Sequence, residues 1–260
     1  MRKPTMLKWG QGLLGLALLM VVLELLPRVG LVSDQYLPPF SDMVQALWTD
    51  LGQASFWSAF GETVLAWAIG LTIAMVLGIG VGLVIGPSPL LRSVTASTIE
   101  FLRPIPSVAL IPLVVLIYST GIESKLVLVV YAAFWQVLIQ VLYGVQDLDP
   151  VARQTARSYR IGAWSQVRHV LWPTALPYVM TGFRLAATVA LVLTITVELV
   201  IGAPGLGNEI AVARSSSAVP QMYALVIVTG ILGVLVNLLA RLLERRLLSW
   251  HPSMRAEVPV

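Results

Sequence analysis

Residues able to do chemistry are scarce in this chain. Of 260 residues, two are histidine and none is cysteine. Disulfides, thiolate metal sites and cysteine nucleophiles are therefore excluded. His169 and His251 lie in polar flanks and are not spaced as a metal-ligating pair. There is no GxSxG nucleophile elbow and no phosphate-cradling GxxxxGK[ST] loop. No Asp or His falls inside an apolar run, so neither a Ser–His nor a paired-Asp protease can be assembled in a membrane. An enzyme is not indicated, and no cofactor or metal is expected. The residues that stand out are the ionisable ones in or beside apolar runs: Glu24, Glu62, Glu100, Arg103 and Glu198. A charge at the bilayer centre costs about 3 kcal/mol, so each needs a reason. Glu24 and Glu62 lie near enough to a span end to reach water. Glu100 and Arg103 are three residues apart and can pair on a helix; a gate or pathway role is the competing reading. Glu198 stands just before a glycine-rich turn, where fixing the turn competes with lining a pathway.

The elements that must position these residues are membrane helices. The chain is 57% hydrophobic and 12% charged, with a mean hydropathy of +0.85, against about 25% charged in soluble domains. The expected fold is all-α, a single transmembrane domain over 1–260 with six transmembrane helices. The first is Trp9 to about Leu26; its length, Glu24 and the lack of an Ala-x-Ala-like site argue for a retained span over a signal peptide. Asp42 to Phe60 reads as an amphipathic interfacial helix with Trp48, Phe56, Trp57 and Phe60 at the headgroup boundary. Thr63 to Ile85 spans, and Gly78, Gly82 and Gly86, four apart, let a neighbouring helix approach closely. Thr95 to Ser119 is an irregular span: Pro104, Pro106 and Pro112 bend it, which is tolerated at depth only against protein or a wet cavity. Lys125 marks a short connection. Leu126 to Val145, Tyr178 to Ile201 and Met222 to Ala240 complete the six, and Asn208 to Arg214 forms a short helix dipping back toward the membrane.

Six spans put both termini on one side. That side carries thirteen of the seventeen Lys and Arg, against three on the other, with Arg103 intramembrane. The positive-inside rule then places both termini and the 150–177 loop in the cytoplasm. The net charge of +4 follows topology and is not clustered as in a nucleic-acid binder. The 150–177 loop is the longest polar interval and reads as two short helices, Pro150 to Tyr159 and Ala163 to Leu171, broken by Gly162 and ended by Pro173. Asp147 and Asp149 favour the start of the first. Small residues with arginines between them suit a partner's groove; an amphipathic pair held to anionic lipid fits equally.

This loop resembles the EAA loop of ABC-importer permease subunits. The matching run is Gln154-Thr155-Ala156, Gly162, then VLWP at 170–173 and LP at 176–177. The segments IGPSPLLRS (85–93), FLRPIPSVALIPLVVLIYSTGIESK (101–125), ARSY (156–159) and GAPGLGNEI (202–210) are most similar to nitrate/sulfonate/taurine-type permeases. The likeness runs from about Leu37 to the C-terminus. Gln154 replaces the usual glutamate, Arg160 falls where the family usually has glycine, and Trp172 stands for the leucine of Leu-Pro. The resemblance implies a type I importer permease in the bacterial inner membrane. It implies coupling through Gln154, Thr155, Ala156, Arg157, Ser158, Tyr159, Arg160, Gly162 and Ala163. Pathway or gate positions would be Glu100, Arg103, Pro104, Pro106, Thr194, Thr196 and Glu198. Its partners would be two cytoplasmic ATP-binding subunits, a second permease chain, identical or different, an extracytoplasmic solute-binding protein, and membrane lipid. A secondary transporter or channel is the alternative, and a lipid-binding scaffold a third reading.

Overall fold

An apolar run in a bilayer must satisfy every backbone donor and acceptor within itself, and the helix is the way one segment can do so. The computed structural model describes residues 4–249, the side chains of 4–10, 13, 153, 157 and 163 excepted, and these residues are helical with short turns. Helix α1 covers Pro4–Arg28, α2 Phe40–Leu51, α3 Ala54–Ile85 and α4 Pro89–Leu102. A 3-10 turn over Ser107–Leu110 leads into α5, Ile111–Tyr118. Then come α6 (Ile122–Gln146), α7 (Pro150–Ser158), α8 (Ala163–Gln166), α9 (Trp172–Ile201), α10 (Leu206–Ser215) and α11 (Val219–Leu247). Among the described residues four helices are long and apolar enough to cross a membrane on their own, or five if α4 with Ser107–Tyr118, bent by 78°, is counted as one broken span.

The core is α3, α6 and α9, and glycines set its spacing. A Cβ at Gly78 would lie 2.7 Å from Val137 Cβ, one at Gly82 2.5 Å from Val141 Cγ1, and one at Gly86 2.7 Å from Val145 Cγ1. The glycine stripe of α3 thus seats the Val137–Val141–Val145 stripe of α6, as the four-residue spacing predicts. Gly70 continues it against Val129. On the other face of α6, Gly144 receives Tyr178 of α9. The Trp67 indole donates to the Ala187 carbonyl at 2.9 Å, joining α3 to α9.

Four expectations are corrected. Asp42 to Phe60 is not one helix: α2 stops at Leu51, and Trp57 and Phe60 belong to α3, which starts at Ala54 after a break at Gly52 and Gln53. Lys125 is not in a connection; it lies in the first turn of α6 and is 1% exposed. Glu100 and Arg103 are both exposed and do not form an ion pair, because α4 ends at Leu102 with no buried residue to hold either side chain over the other. Pro173 does not end a helix. A π turn at Val167–Leu171 precedes it, and the helix runs on through α9. Proline cannot donate to the His169 carbonyl and would crowd it in a regular α turn; the wider turn gives the ring room.

Candidate functional site

Two constructions in this chain go beyond packing: a surface loop and a buried charge cluster. The loop is α7 and α8. Asp149 Oδ1 accepts from the Val151 N–H at 2.8 Å, capping α7 with Pro150 in its first turn, an ordinary helix start. The helix ends in a Schellman turn: the Ile161 N–H donates to the Ala156 carbonyl at 3.0 Å, and Arg160 between them has φ +50°. That left-handed position is where glycine costs least, which gives the physical reason for glycine in the family pattern. Gln166 Nε2 then donates to the Ile161 carbonyl at 2.7 Å, setting the start of α8. Asp147 Oδ2 accepts from the Tyr178 hydroxyl at 2.9 Å, which ties the loop's root to α9.

Of the expected coupling residues, Gln154, Thr155, Ser158, Tyr159, Arg160 and Gly162 are exposed. Ala156 is 4% exposed and turns inward. With Gln154 and Pro150 it lines a groove of ≈ 550 Å³ against Gly86, Val145 and Leu171, at the ends of α3, α6 and α9. The outward face carries Val151, Tyr159 and Trp164, all more than two thirds exposed. The side chains of Arg157 and Ala163 lie outside the described residues. Three large side chains thus stand in the open on a loop seated on three core helices.

The buried cluster is at the other end of the helices. Lys125 Nζ lies 3.0 Å from Glu198 Oε1 and donates to the Pro204 carbonyl at 2.6 Å. Thr63 Oγ1 donates to Glu198 Oε2 at 2.8 Å and accepts from the Leu206 N–H at 2.9 Å. The Gly207 N–H donates to the same carboxylate oxygen at 3.1 Å. Lys125 and Glu198 are buried with their partner Thr63. One carboxylate thus joins α3, α6, α9 and the α9–α10 turn. The turn fits because it is glycine-rich: Gly202 is left-handed at φ +71°, Gly205 has φ +149°, and a Cβ at Gly205 would run into the Glu198 carboxylate. Gly207 presses against the Ile195 carbonyl in the same way.

Sequence reasoning singled out Glu198 and the turn but missed Lys125 and Thr63. The signal was there for Lys125: one lysine in an apolar stretch beside one unmatched glutamate. Of the expected pathway residues, Thr194 is buried, its hydroxyl spent on the Ala190 carbonyl at 2.8 Å. Thr196 lines a groove between α9 and α11. Glu100 and Arg103 line a different one, between α4 and α6, and Pro104 and Pro106 are exposed at the break that follows. The site residues therefore do not converge on one pocket of this protomer.

Comparison with known proteins gives these features a context. The taurine transport system permease protein TauC of Escherichia coli (strain K12) is 31% identical over 245 residues, covering 92% of this chain and 89% of that protein. A putative aliphatic sulfonates transport permease protein, SsuC of Bacillus subtilis (strain 168), is 27% identical, covering 94% and 89%. In fold, the chain matches one from the inward-facing MetNI methionine ABC transporter with a TM-score of 0.60 at 20% identity, covering 80% of this chain and 97% of that one. Residues 74–249 match the family described as the binding-protein-dependent transport system inner membrane component, so the chain belongs to that family and is a multi-pass permease subunit of an ABC importer.

Proposed function

We propose that this permease forms half of a pathway for a small organic anion of the sulfonate type, and that α7 and α8 are where an ATP-binding subunit drives it. The observation that carries the coupling reading is the outward apolar face of Val151, Tyr159 and Trp164 above an inward-turned Ala156. A partner closing on that face would push directly on α3, α6 and α9 through the groove walls. The permease contains no phosphate-binding loop, so ATP is hydrolysed in separate cytoplasmic subunits, two per assembly. The second permease chain is a copy of this one. An extracytoplasmic binding protein delivers the solute to the face holding α10. Helix α1, 25 residues and about 37 Å long, supplies the sixth span, which leaves both termini and α7–α8 in the cytoplasm by the charge bias. Glu100, Arg103, Pro104 and Pro106 line the pathway between the two copies. Glu198 fixes the outer turn.

The solute class follows the relatives, whose names specify taurine and aliphatic sulfonates. The test is uptake of labelled taurine and of ethanesulfonate by proteoliposomes holding the permease, its ATPase and its binding protein. Uptake requiring both ATP and the binding protein is expected. Uptake by the permease alone, without ATP, would replace this reading with a secondary transporter.

A further inference from the structure

The break between α4 and α5 places a charge where a bilayer tolerates none without a partner. Helix α6 runs over 25 residues, with Phe134 at its midpoint. Tyr131, three residues from that midpoint, is displaced from it by about 4.5 Å. The Tyr131 hydroxyl donates to the Leu102 carbonyl at 2.6 Å. Arg103, the next residue, is therefore held near the middle of the length of α6, and so near mid-membrane where α6 spans the bilayer. The other end of α4 agrees with this position along α6, since Arg92 shares its groove with Gln146 at the far end of α6. Helix α4 thus runs antiparallel to α6 and enters the membrane to its middle before it breaks.

Arg103 is exposed there, and no carboxylate lies within 4.0 Å of it among the described residues. Glu100 lines the same groove of ≈ 480 Å³ but is not paired with it. A guanidinium at this depth is kept only where water or an anion reaches it. An independent feature agrees: the backbone is non-helical from Arg103 to Pro106, with two prolines. Irregular backbone at membrane depth borders protein or a wet cavity, never lipid. Helix α4 buries no residue in this protomer, so the wet space lies outside the protomer's own core.

We infer that Arg103 is the charge-selecting residue of the pathway, presenting its guanidinium at mid-membrane to the oxyanion group of the solute. The inference rests on the permease reading. The planar fork of a guanidinium matches two oxygens of a sulfonate or a similar oxyanion. Both copies would contribute one, on facing sides of the pathway.

The chain has no cysteine, which permits a test that does not need the solute. Ser107, half-buried four residues beyond Arg103, is replaced by Ser107→Cys in the complex with a cysteine-free ATPase. Its modification is timed with the anionic sulfonatoethyl and the cationic trimethylammonioethyl methanethiosulfonate, each rate divided by that of a free thiol. A fixed positive charge about 8 Å away should favour the anionic reagent roughly tenfold. Arg103→Gln should bring the ratio close to one, and Arg103→Lys should retain most of it. A ratio unchanged in Arg103→Gln overturns the inference. So does no labelling by either reagent of a cysteine that a maleimide labels after denaturation, which would place this segment against lipid tails or in a sealed interface. ATP hydrolysis stimulated by the binding protein, measured on the Ser107→Cys complex, separates the two failures. If stimulation persists, the charge assignment falls alone; if it is absent, the permease reading falls with it.

Discussion

Glu198→Gln is the perturbation whose cost the structure fixes best. The carboxylate receives three donors, from Lys125, Thr63 and the Gly207 backbone, and the ammonium of Lys125 has 1% exposure. Removing the negative charge leaves that ammonium buried beside the neutral Pro204 carbonyl with no counter-charge. Breaking one side of a buried pair costs about 3–5 kcal/mol, which in a chain of this size lowers Tm by roughly 10 °C. Lys125→Met should cost about as much for the converse reason. The double variant Lys125→Met, Glu198→Gln buries no charge, keeps an acceptor for the Gly207 N–H, and loses the two bonds donated by the Lys125 ammonium together with the desolvation they offset. It should therefore be more stable than either single variant. The assay is thermal unfolding of the purified permease followed by fluorescence of its eight tryptophans. A double variant as unstable as the two single losses added together would refute the reasoning, since the residues would then act independently.

Three further outcomes follow from the same geometry. Gly82→Ala places a methyl 2.5 Å from Val141 Cγ1 and 2.8 Å from Val141 Cβ; it should cost about 1–3 kcal/mol in thermal unfolding and be only partly rescued by Val141→Ala, which removes Cγ1 but leaves Cβ. Arg160→Gly relieves a left-handed residue at φ +50° and should stabilise the loop by about 1 kcal/mol, seen as slower proteolysis between α7 and α8. Asp50, on α2 outside the spans, is 4% exposed, and burial pushes its carboxyl above the ordinary aspartate range despite the Gln221 hydrogen bond at 3.0 Å. The folded chain then holds that proton more firmly than the unfolded one. Asp50's stabilising share is complete below about pH 4 and is lost as pH rises through the raised value. Asp50→Asn should consequently raise Tm relative to the parent more at pH 7 than at pH 4; an equal difference at both would contradict the burial argument.

Much of the fold was readable because membrane helices announce themselves by composition. The glycine stripe was legible down to its geometry, since Gly78, Gly82 and Gly86 fall on one face by spacing alone. Proline was less legible. Pro104 and Pro106 break a span as expected, whereas Pro173 is absorbed by a π turn, and nothing in the local sequence separates the two cases. In the loop the ends of elements were legible, marked by Asp149, Pro150 and Gly162, but not its facing: whether Ala156 or Tyr159 points outward depends on how α7 is docked on α3, α6 and α9. Lys125 and Glu198 are 73 residues apart, and only the packing of α6 against α9 brings them together. Glu100 and Arg103 show the converse, being adjacent in helical register yet unpaired.

The claim that α7 and α8 receive the ATPase is tested most directly by position-specific cross-linking in a chain that lacks cysteine. Tyr159→Cys and, separately, Ala156→Cys are co-expressed with an ATPase carrying one cysteine in its groove, and disulfide formation is measured with and without ATP. A nucleotide-sensitive cross-link is expected from Tyr159→Cys, which is exposed, and little from Ala156→Cys, which faces the permease's own core. A cross-link from Ala156→Cys alone, or from neither in a complex that purifies intact, would contradict it.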